Sequence, residues 1–536
     1  MKKIISKIMC LVFAALAVTG CFTACGNDYG ADTVVIFLEY NGAVGSADDE
    51  VKAALEAKFL QDTGESINLV LEPFPSTTVA QKAIGAISAS SERIDGIISH
   101  YSSDSLLTTM ITEEKELKDL TSLVAEYAPN YIAQFTETTD PEGRAYHKGM
   151  FNGKIYALST MERNSVFGML VNRDHMAKTQ FNPDEYDVAK DGYKSLTIDE
   201  FTTLLRELKT ASGGGRPIVA APYDLEYFIG PVYGCMGYTR NDIVDGTFYP
   251  AYVTDSYLKV MEYERMLQLE KLWIENPTGN SQADTNFYAG KSSIYMCWPE
   301  VTSQINVARK LKSSIGADCV MLAPLIAEGQ TETRGNSRTE TAFSGLTVPN
   351  KGQNTELLLK FINWLYSSKD NYDIAKYGIE GKHWVRAEVN GAPAYSYPED
   401  KREEFEKQAP YSGLYSLLTN VNVSERIYAG YTEQEAKWVQ EVRGFKTFPE
   451  NGYVDEGMNM VAPSAKYDRQ VRLELANFGI EAVGIRAYAW SDADIPDGKT
   501  LASMHATLKE NVKTKYKNYI NFINADYAKF VESLKN

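Results

Sequence analysis

The sequence predicts an α/β protein folded into two lobes, and three observations support this prediction. The chain has 536 residues, of which 44% are hydrophobic, so it is long and apolar enough to build two cores. Residues 33–98 alternate strand and helix patterns at the intervals of a parallel sheet with right-handed crossovers. No long Pro/Ser-rich linker divides the chain, so we expect the backbone to cross between the lobes more than once.

Hydrophobic periodicity predicts the order of the elements. Apolar, β-branched runs predict strands at 33–38, 67–71, 94–98, 166–171, 293–297, 319–322 and 341–348. Helical spacing of apolar residues predicts helices at 49–59, 79–87, 116–127, 197–209, 355–366 and 511–534. The helix over 197–209 opens with a capping box from Thr197 to Glu200, and the glycines at 213–215 form a turn after it. The last helix is expected to pack on the second lobe.

The pattern of the first residues predicts an export signal. Lys2, Lys3 and Lys7 flank the start of an apolar stretch over 8–18, which is shorter than the ~20 residues that span a bilayer. The residues that follow resemble a bacterial lipobox twice, ending at Cys21 and at Cys25. We therefore expect 1–24 to be a lipoprotein signal peptide and lipobox region, with one of these two cysteines acylated. The alternative is an ordinary cleaved signal with two spare cysteines.

Composition excludes several classes of function. Lys and Arg number 54 against 71 Asp and Glu, and the resulting charge of −17 excludes a nucleic-acid partner. A mean hydropathy of −0.30 excludes a protein with many membrane spans. With five histidines far apart, neither a metal site nor a cofactor is expected. The remaining cysteines are Cys235, Cys297 and Cys319. Either they are buried free thiols, or two of them form a disulfide.

Polar and aromatic residues follow two of the predicted strands. Glu39, Tyr40 and Asn41 come after the first strand, and Tyr101 and Asp104 come after the third. Ligands of open α/β sheets bind beyond the carboxyl ends of the strands. The sequence therefore predicts binding loops at these positions, with plain surface loops as the alternative.

Several segments together resemble the extracytoplasmic solute-binding proteins of ABC importers, family 1, and within it the long lipoprotein subgroup associated with complex glycans. The most specific is Tyr-Gly-Ile-Glu-Gly-Lys-His-Trp at 377–384. The other segments are the lipobox, 116–120, 153–156, 171–174, 196–201, 287–291 with Trp298, and 343–349. One departure is Leu158-Ser159, where relatives usually have proline.

The resemblance implies a type II periplasmic-binding-protein-like fold, in which two hinged lobes each hold a mostly parallel sheet flanked by helices. Carried onto this chain, lobe 1 would hold residues 30–150 and 318–370. Lobe 2 would hold residues 155–315 and 371–536.

The resemblance also implies a function without catalysis. A lipid-anchored, monomeric protein on the outer face of the cell membrane would capture an oligosaccharide between its lobes and deliver it to permease subunits. Gly-x-Ser-x-Gly and His-Glu-x-x-His are absent, so no enzyme is predicted. A peptide or other polar solute is the alternative cargo. A surface glycoside hydrolase, which needs two carboxylates, and an adhesin are the remaining alternatives.

Aromatic rings cover the C–H face of a sugar while polar side chains pair with its hydroxyls. Trp298 and Trp384 are the predicted platforms, although either could pack in the interior, Trp384 as part of a hinge-side structural unit. Further aromatic candidates are Tyr40, Tyr101, Tyr223 and Tyr227. The polar candidates are Glu39, Asn41, Asp104, Glu162, Arg163, Asn164 and Glu300.

Overall fold

The fold is built on two five-stranded mixed sheets with smaller sheets beside them. The computed structural model describes residues 29–533 apart from 76, 90–92, 101–115, 135–148, 152–153, 160–167, 236–240, 245–246, 276–280, 298–300, 328, 332, 334, 337–343, 419–425, 446 and 449–468.

The strands are β1 (Thr33–Glu39), β2 (Asn68–Phe74), β3 (Gly96–His100), β4 (Met150–Phe151), β5 (Lys154–Ile155), β6 (Ala157–Ser159), β7 (Gly168–Asn172), β8 (Ile218–Ala220), β9 (Asn241–Val244), β10 (Thr247–Pro250), β11 (Trp273–Glu275), β12 (Ile294–Cys297), β13 (Cys319–Leu322), β14 (Gly335–Asn336), β15 (Ser344–Thr347), β16 (Val385–Val389), β17 (Ala392–Ser396), β18 (Ile427–Tyr428) and β19 (Thr447–Phe448).

The helices are α1 (Asp48–Thr63), α2 (Val79–Ala89), α3 (Thr121–Tyr127), α4 (Pro129–Ile132), α5 (Arg173–Met176), α6 (Pro183–Tyr186), α7 (Ile198–Ala211), α8 (Pro222–Tyr233), α9 (Asp255–Leu269), α10 (Ser281–Tyr288), α11 (Val301–Ile315), α12 (Thr355–Leu365), α13 (Lys369–Tyr377), α14 (Arg402–Lys407), α15 (Glu433–Gly444), α16 (Arg469–Ala489), α17 (Leu501–Thr514) and α18 (Lys517–Ser533).

The first sheet has the strand order β2-β1-β3-β15-β6. β1 pairs parallel with both β2 and β3. β15 pairs antiparallel with β3 on one side and with β6 on the other, so that Thr347 lies opposite Ile97 and Ala157. β1, β2, β3 and β6 therefore point in one direction, and β15 runs against them.

The second sheet, with the order β11-β8-β12-β7-β13, repeats this plan. β8 is parallel to β11 and to β12, whereas β7 is antiparallel to β12 and to β13. The fourth strand in the order is reversed in both sheets. Both sheets are therefore mixed: four of the five strands in each point in one direction, as predicted, but two of the four pairings in each are antiparallel.

Each sheet has its own hydrophobic core. Around the first sheet, the buried side chains come from residues 34–158 and 346–418. Around the second, they come from 169–325, from the strands at 394 and 427, and from 436–523. Residues 371–536 were all expected with the second lobe, but Ala375, Tyr411, Leu414, Tyr415 and Leu418 pack in the first core. The reason is that α13 follows α12 with a short connection and stays on the same sheet.

The three-stranded sheet β16-β17-β18 bridges the two cores. Ala394 and Ile427 of this sheet are buried in the core of the second sheet. Arg426, just before β18, pairs at 2.8 Å with Asp373 of α13, and both side chains are buried. Since α13 packs on the first sheet, this ion pair connects the two halves of the molecule.

The helix predicted over 116–127 is shorter than expected. Leu117 forms a β-bridge with Pro349, and the Lys118 amide donates to the Val348 carbonyl at 2.8 Å. The helix begins only at Thr121, whose amide donates to the Asp119 carboxylate at 3.1 Å. Pairing with the segment after β15 therefore overrides the apolar spacing of the first residues.

The C-terminal helices pack on the second core, as predicted. The helix expected over 511–534 is divided, because α17 ends at Thr514 and α18 begins at Lys517. Tyr516 lies at the break with 1% of its surface exposed, and its hydroxyl donates to Glu481 of α16 at 2.6 Å. The capping box of α7 is confirmed, with Thr197 and Glu200 in the predicted roles.

A buried acidic pair lies between α8, α9 and α16. Glu264 is fully buried and Glu226 is 1% exposed. Burial raises the pKa of Glu264 well above its usual value, and the nearby Glu226 carboxyl raises this pKa further. The Trp490 indole N–H, which donates to Glu264 at 3.1 Å, and the Arg486 guanidinium oppose this rise in pKa without reversing it. Tyr257, whose hydroxyl donates to Glu226 at 3.1 Å, completes the cluster.

We expect this pair to make the folded protein less stable as pH rises. A carboxyl group with a raised folded-state pKa stabilises the fold below its unfolded pKa, and this contribution is lost between the unfolded and the folded pKa. Glu264→Gln keeps a neutral side chain at every pH. The free energy of unfolding of the wild type should therefore fall relative to that of the variant by up to about 1.4 kcal/mol per pH unit above roughly pH 4.5. Urea unfolding at several pH values measures the difference.

The matched control is Glu262→Gln, because Glu262 is exposed on the same helix. Its unfolding free energy should run parallel to that of the wild type across the pH range. A parallel course for Glu264→Gln as well would contradict the raised pKa.

Candidate functional site

The carboxyl ends of β1 and β3 lie side by side in the first sheet and are joined through their side chains. The Ser99 hydroxyl, on β3, donates to the Glu39 carboxylate at the end of β1 at 3.0 Å. Glu39 and Tyr40 are half-buried and Asn41 is exposed. The structure thus brings together three of the predicted site residues at one edge of the sheet.

The loop after β1 is held in place by its own contacts. The Tyr40 hydroxyl donates to the carbonyls of Ala43 at 3.2 Å and Ser412 at 3.4 Å. Its ring lies over Gly42, where an added Cβ would be 2.6 Å from the ring. The Tyr40 ring therefore supports the loop, and Asn41 is presented at its tip.

Asp48, at the start of α1, fixes the other end of this loop. Its carboxylate accepts hydrogen bonds from the amides of Gly45 at 2.8 Å and Ser412 at 2.9 Å, and from the Ser412 hydroxyl at 2.6 Å. At Gly45 a Cβ would lie 2.4 Å from the Pro410 carbonyl oxygen, so only glycine allows the two segments to approach. A loop held in this way has little conformational entropy left to lose on contact with a ligand.

In the second sheet, the carboxyl end of β8 leads directly into α8. Ala221 is the N-cap residue and Pro222 occupies the first turn, and no side chain caps the helix. Tyr227, on this helix, is 7% exposed, so its ring is largely covered by protein. The backbone of Tyr223 lies in the first turn of the same helix. Both predicted tyrosines therefore belong to the element that begins at this edge.

The neighbouring edge is formed by β12 and β7, where Cys297 lies opposite Gly168. An added Cβ on Gly168 would be 2.1 Å from the Gln304 amide nitrogen. Gln304, on α11, is fully buried and therefore reaches this edge only because residue 168 has no side chain.

Trp384 is not a platform for a ligand, which corrects the sequence prediction. Only 2% of it is exposed, and its indole N–H donates to the Gly378 carbonyl at 2.9 Å. The guanidinium groups of Arg386 and Arg426 lie 5.7 and 5.2 Å from the ring centroid. The ring is therefore part of the bridge between the two cores, which is the alternative role considered for it.

Other predicted residues lie outside the described part of the chain. They are Trp298, Tyr101, Asp104, Glu162, Arg163, Asn164, Glu300, Cys21 and Cys25. Their roles stay predictions.

The sequence prediction missed Ser99 and Gln304. Ser99 is a polar residue directly after the apolar run at 94–98 and two positions before Tyr101, a predicted site residue. A polar residue at the end of a predicted strand could have been included among the site candidates. Gln304 gave none, because its place depends on the packing of α11 against Gly168.

The described cysteines and acids indicate no further chemistry. Cys235 and Cys319 are both buried, and burial raises the pKa of the Cys319 thiol. Within the described residues, no group of three or more His, Cys, Asp or Glu side chains is arranged to hold a metal ion. No helix in this part of the chain is both long and apolar enough to cross a membrane.

The chain matches the family model described as bacterial extracellular solute-binding protein over residues 44–372. This range includes strands of both large sheets. The family consists of binding proteins rather than enzymes, in agreement with the sequence prediction. The sequence has no match among curated proteins.

Several solved structures share the fold over nearly the whole chain. An extracellular solute-binding protein from Bifidobacterium longum subsp. infantis is 18% identical, with a TM-score of 0.64 over 94% of this chain and 99% of that chain. The N-glycan transport solute binding protein NgtS from Streptococcus pneumoniae is 14% identical, with a TM-score of 0.61 over 93% and 99%. An HMO binding, ABC-transporter associated solute binding protein from Bifidobacterium longum infantis is 16% identical, with a TM-score of 0.63 over 94% and 99%. The predicted fold class is confirmed by this likeness.

Replacing Trp384 tests its structural role. Trp384→Phe removes the hydrogen bond to the buried Gly378 carbonyl and part of the stacking between the two arginines. We expect the free energy of unfolding to fall by about 2 kcal/mol, measured by chemical denaturation. A loss below about 0.5 kcal/mol, as for an exposed ring, would contradict the buried position.

Proposed function

The chain belongs to the bacterial extracellular solute-binding proteins, and from this we propose that it captures an oligosaccharide between two lobes and hands it to the permease of an ABC importer. No covalent chemistry is involved in this function. The observation that carries the proposal is the family match, which extends over strands of both large sheets. Members of this family act outside the cytoplasm, where a binding protein can reach glycans in the surroundings.

Two of the structural neighbours support the choice of cargo. NgtS is named for N-glycan transport, and one of the Bifidobacterium proteins is named for HMO binding and its association with an ABC transporter. The site loops of this chain carry groups suited to such ligands. Glu39 offers a carboxylate and Asn41 an amide at the edge of the first sheet, and sugar hydroxyls pair with both kinds of group.

The aromatic rings that cover the sugar would come from residues other than Trp384. Trp298, which follows β12, is the proposed main platform, with Tyr101 and Tyr223 as further rings. Tyr227, which was predicted from the sequence, is left out because its ring is largely covered by protein. Asp104, Glu162, Arg163, Asn164 and Glu300 are proposed to pair with ligand hydroxyls. Tyr40 takes part indirectly, because its ring supports the loop that presents Asn41.

Capture would use closure of the lobes around the bridging sheet. A ligand shifts the equilibrium toward the closed state by as much as it binds that state better. The bridge joins the two cores through Arg426 and Asp373, and we propose that the hinge lies beside this buried pair. The predicted lobe boundaries are kept as part of this proposal with three exceptions. β6, expected in lobe 2, belongs to the first sheet, and β13, expected in lobe 1, belongs to the second. α13 and residues 411–418 go with the first sheet.

A lipid anchor at Cys21 or Cys25 would hold the protein on the outer face of the cell membrane. Two or more acyl chains give stable attachment, because each buried CH₂ contributes about 0.8 kcal/mol. Mass spectrometry of the membrane-extracted protein identifies the acylated cysteine. Recovery of an unacylated N-terminus would contradict the anchor and leave the binding function untouched.

Titration calorimetry with a panel of oligosaccharides tests the proposed function. We expect saturable 1:1 binding of at least one glycan, with no cleavage products in the recovered ligand. Cleavage would indicate a glycoside hydrolase instead. Tight binding of peptides without glycan binding would contradict the sugar cargo.

Glu39→Gln tests the proposed hydroxyl contact. A hydrogen bond to a charged group contributes about 1.5–3 kcal/mol, so we expect the glycan affinity to fall by roughly 10-fold to 100-fold, as measured by calorimetry. The control is Glu65→Gln, because Glu65 precedes β2 and lies at the opposite edge of the same sheet. Equal affinities for Glu39→Gln and the wild type would remove Glu39 from the site.

A further inference from the structure

From Leu473 to Ala487, one exposed face of α16 is uncharged and mostly apolar. Leu473 is 50% exposed, Ile480 73% and Val483 48%. From Leu473 to the end of the helix, the other exposed residues are uncharged. They are Ala476, Asn477, Gly484 and Ala487. The opposite face of the helix is buried in the second core.

This pattern differs from ordinary scattered exposure. A helix that packs on a core normally carries polar or charged residues on its outer face. Three of the seven large hydrophobic side chains exposed in the described part of the chain lie on this face. A continuous apolar stripe of this kind marks an interaction surface.

We propose that this face of α16 binds the same face of a second copy of the chain, with the two helices antiparallel and a two-fold axis at Ile480. In a two-fold interface the same surface serves both partners, so the surface has to be complementary to itself. The positions along α16 meet this condition in size and in charge.

The side chains are complementary in size when residues at similar distances from Ile480 in the two copies are brought together. Leu473 and Ala487 each lie seven positions from Ile480, so leucine of one copy meets alanine of the other. With 100° per residue, Val483, three positions after Ile480, comes beside Ala476 of the second copy, which lies four positions before it. A large side chain meets a small one at these two places, whereas Ile480 meets its own copy at the two-fold axis. We therefore expect the helix axes to lie about 8–10 Å apart.

The charges select the antiparallel arrangement. Arg469 and Arg472 are exposed at the start of α16, and Asp492 and Asp494 are exposed just beyond its end. Antiparallel packing places the arginines of one copy beside the aspartates of the other. Parallel packing would place like charges together, which destabilises a pair.

The interface is small, so we expect the dimer to be weak. The stripe from Leu473 to Ala487 is about 21 Å long at 1.5 Å per residue. A single helix face buries much less than the roughly 800 Å² per partner of a standard interface. We therefore expect a weak dimer that forms as concentration rises, whereas the monomer predicted from the sequence prevails in dilute solution.

Disulfide trapping tests the register. In the proposed dimer, residue 480 of one copy faces residue 480 of the other, so Ile480→Cys should form a covalent dimer under mild oxidation. The matched control is Leu269→Cys, on α9, because Leu269 is 56% exposed and lies outside the stripe. Equal dimer yields from the two variants in non-reducing gels would overturn the proposal.

Charge reversal tests the orientation without new cysteines. Arg469→Glu should lower the dimer fraction in sedimentation experiments, and adding Asp492→Arg in the same chain should restore it. Thermal unfolding of each variant checks that the fold is kept. A dimer fraction that stays constant across these folded variants would exclude the antiparallel pairing.

Discussion

The return of the chain to the first sheet as β15 is the constraint on which the rest of the structure depends. β15 lies between β3 and β6 and bonds to both, so the first sheet is complete only after the whole second sheet has been made. The chain must therefore pass between the two sheets on its way out, after β6, and on its way back, before β15. Because β15 runs against β6, the chain leaves and re-enters the first sheet at the same edge, which is the carboxyl edge of β1 and β3. Ligands of α/β sheets bind at this edge.

Local signals in the sequence predicted the elements well and their packing less well. The strands around 33–38 and 94–98 and the capped helix at Thr197 follow from periodicity and side-chain caps, which act over a few residues. The shortened helix at Thr121 and the position of Tyr411 in the first core depend on contacts with residues far away in the chain. Such contacts are not encoded in any short window.

The same distinction applies to the candidate site. The positions of Glu39 and Asn41 at the edge of the sheet could be predicted because a strand end fixes the place of the residues that follow it. Trp384 misled the prediction, because its flanking polar residues resemble those of a binding platform. In the fold Trp384 is 2% exposed, and the guanidinium groups of Arg386 and Arg426 lie over its ring, 5.7 and 5.2 Å from the centroid. These cation–π contacts and the burial suit a structural part of the bridge and leave no room for a ligand on the ring. In the proposed site, the rings that cover a sugar face are therefore Trp298, Tyr101 and Tyr223.

Small-angle X-ray scattering with and without a saturating glycan tests the central claim most directly, because two lobes that close on a ligand change the overall dimensions of the protein. The sample is kept dilute so that monomer is compared with monomer. We expect the radius of gyration to decrease when the glycan selected by calorimetry is added, and to stay constant with a sugar that does not bind. An unchanged radius with the glycan fully bound would contradict capture between moving lobes.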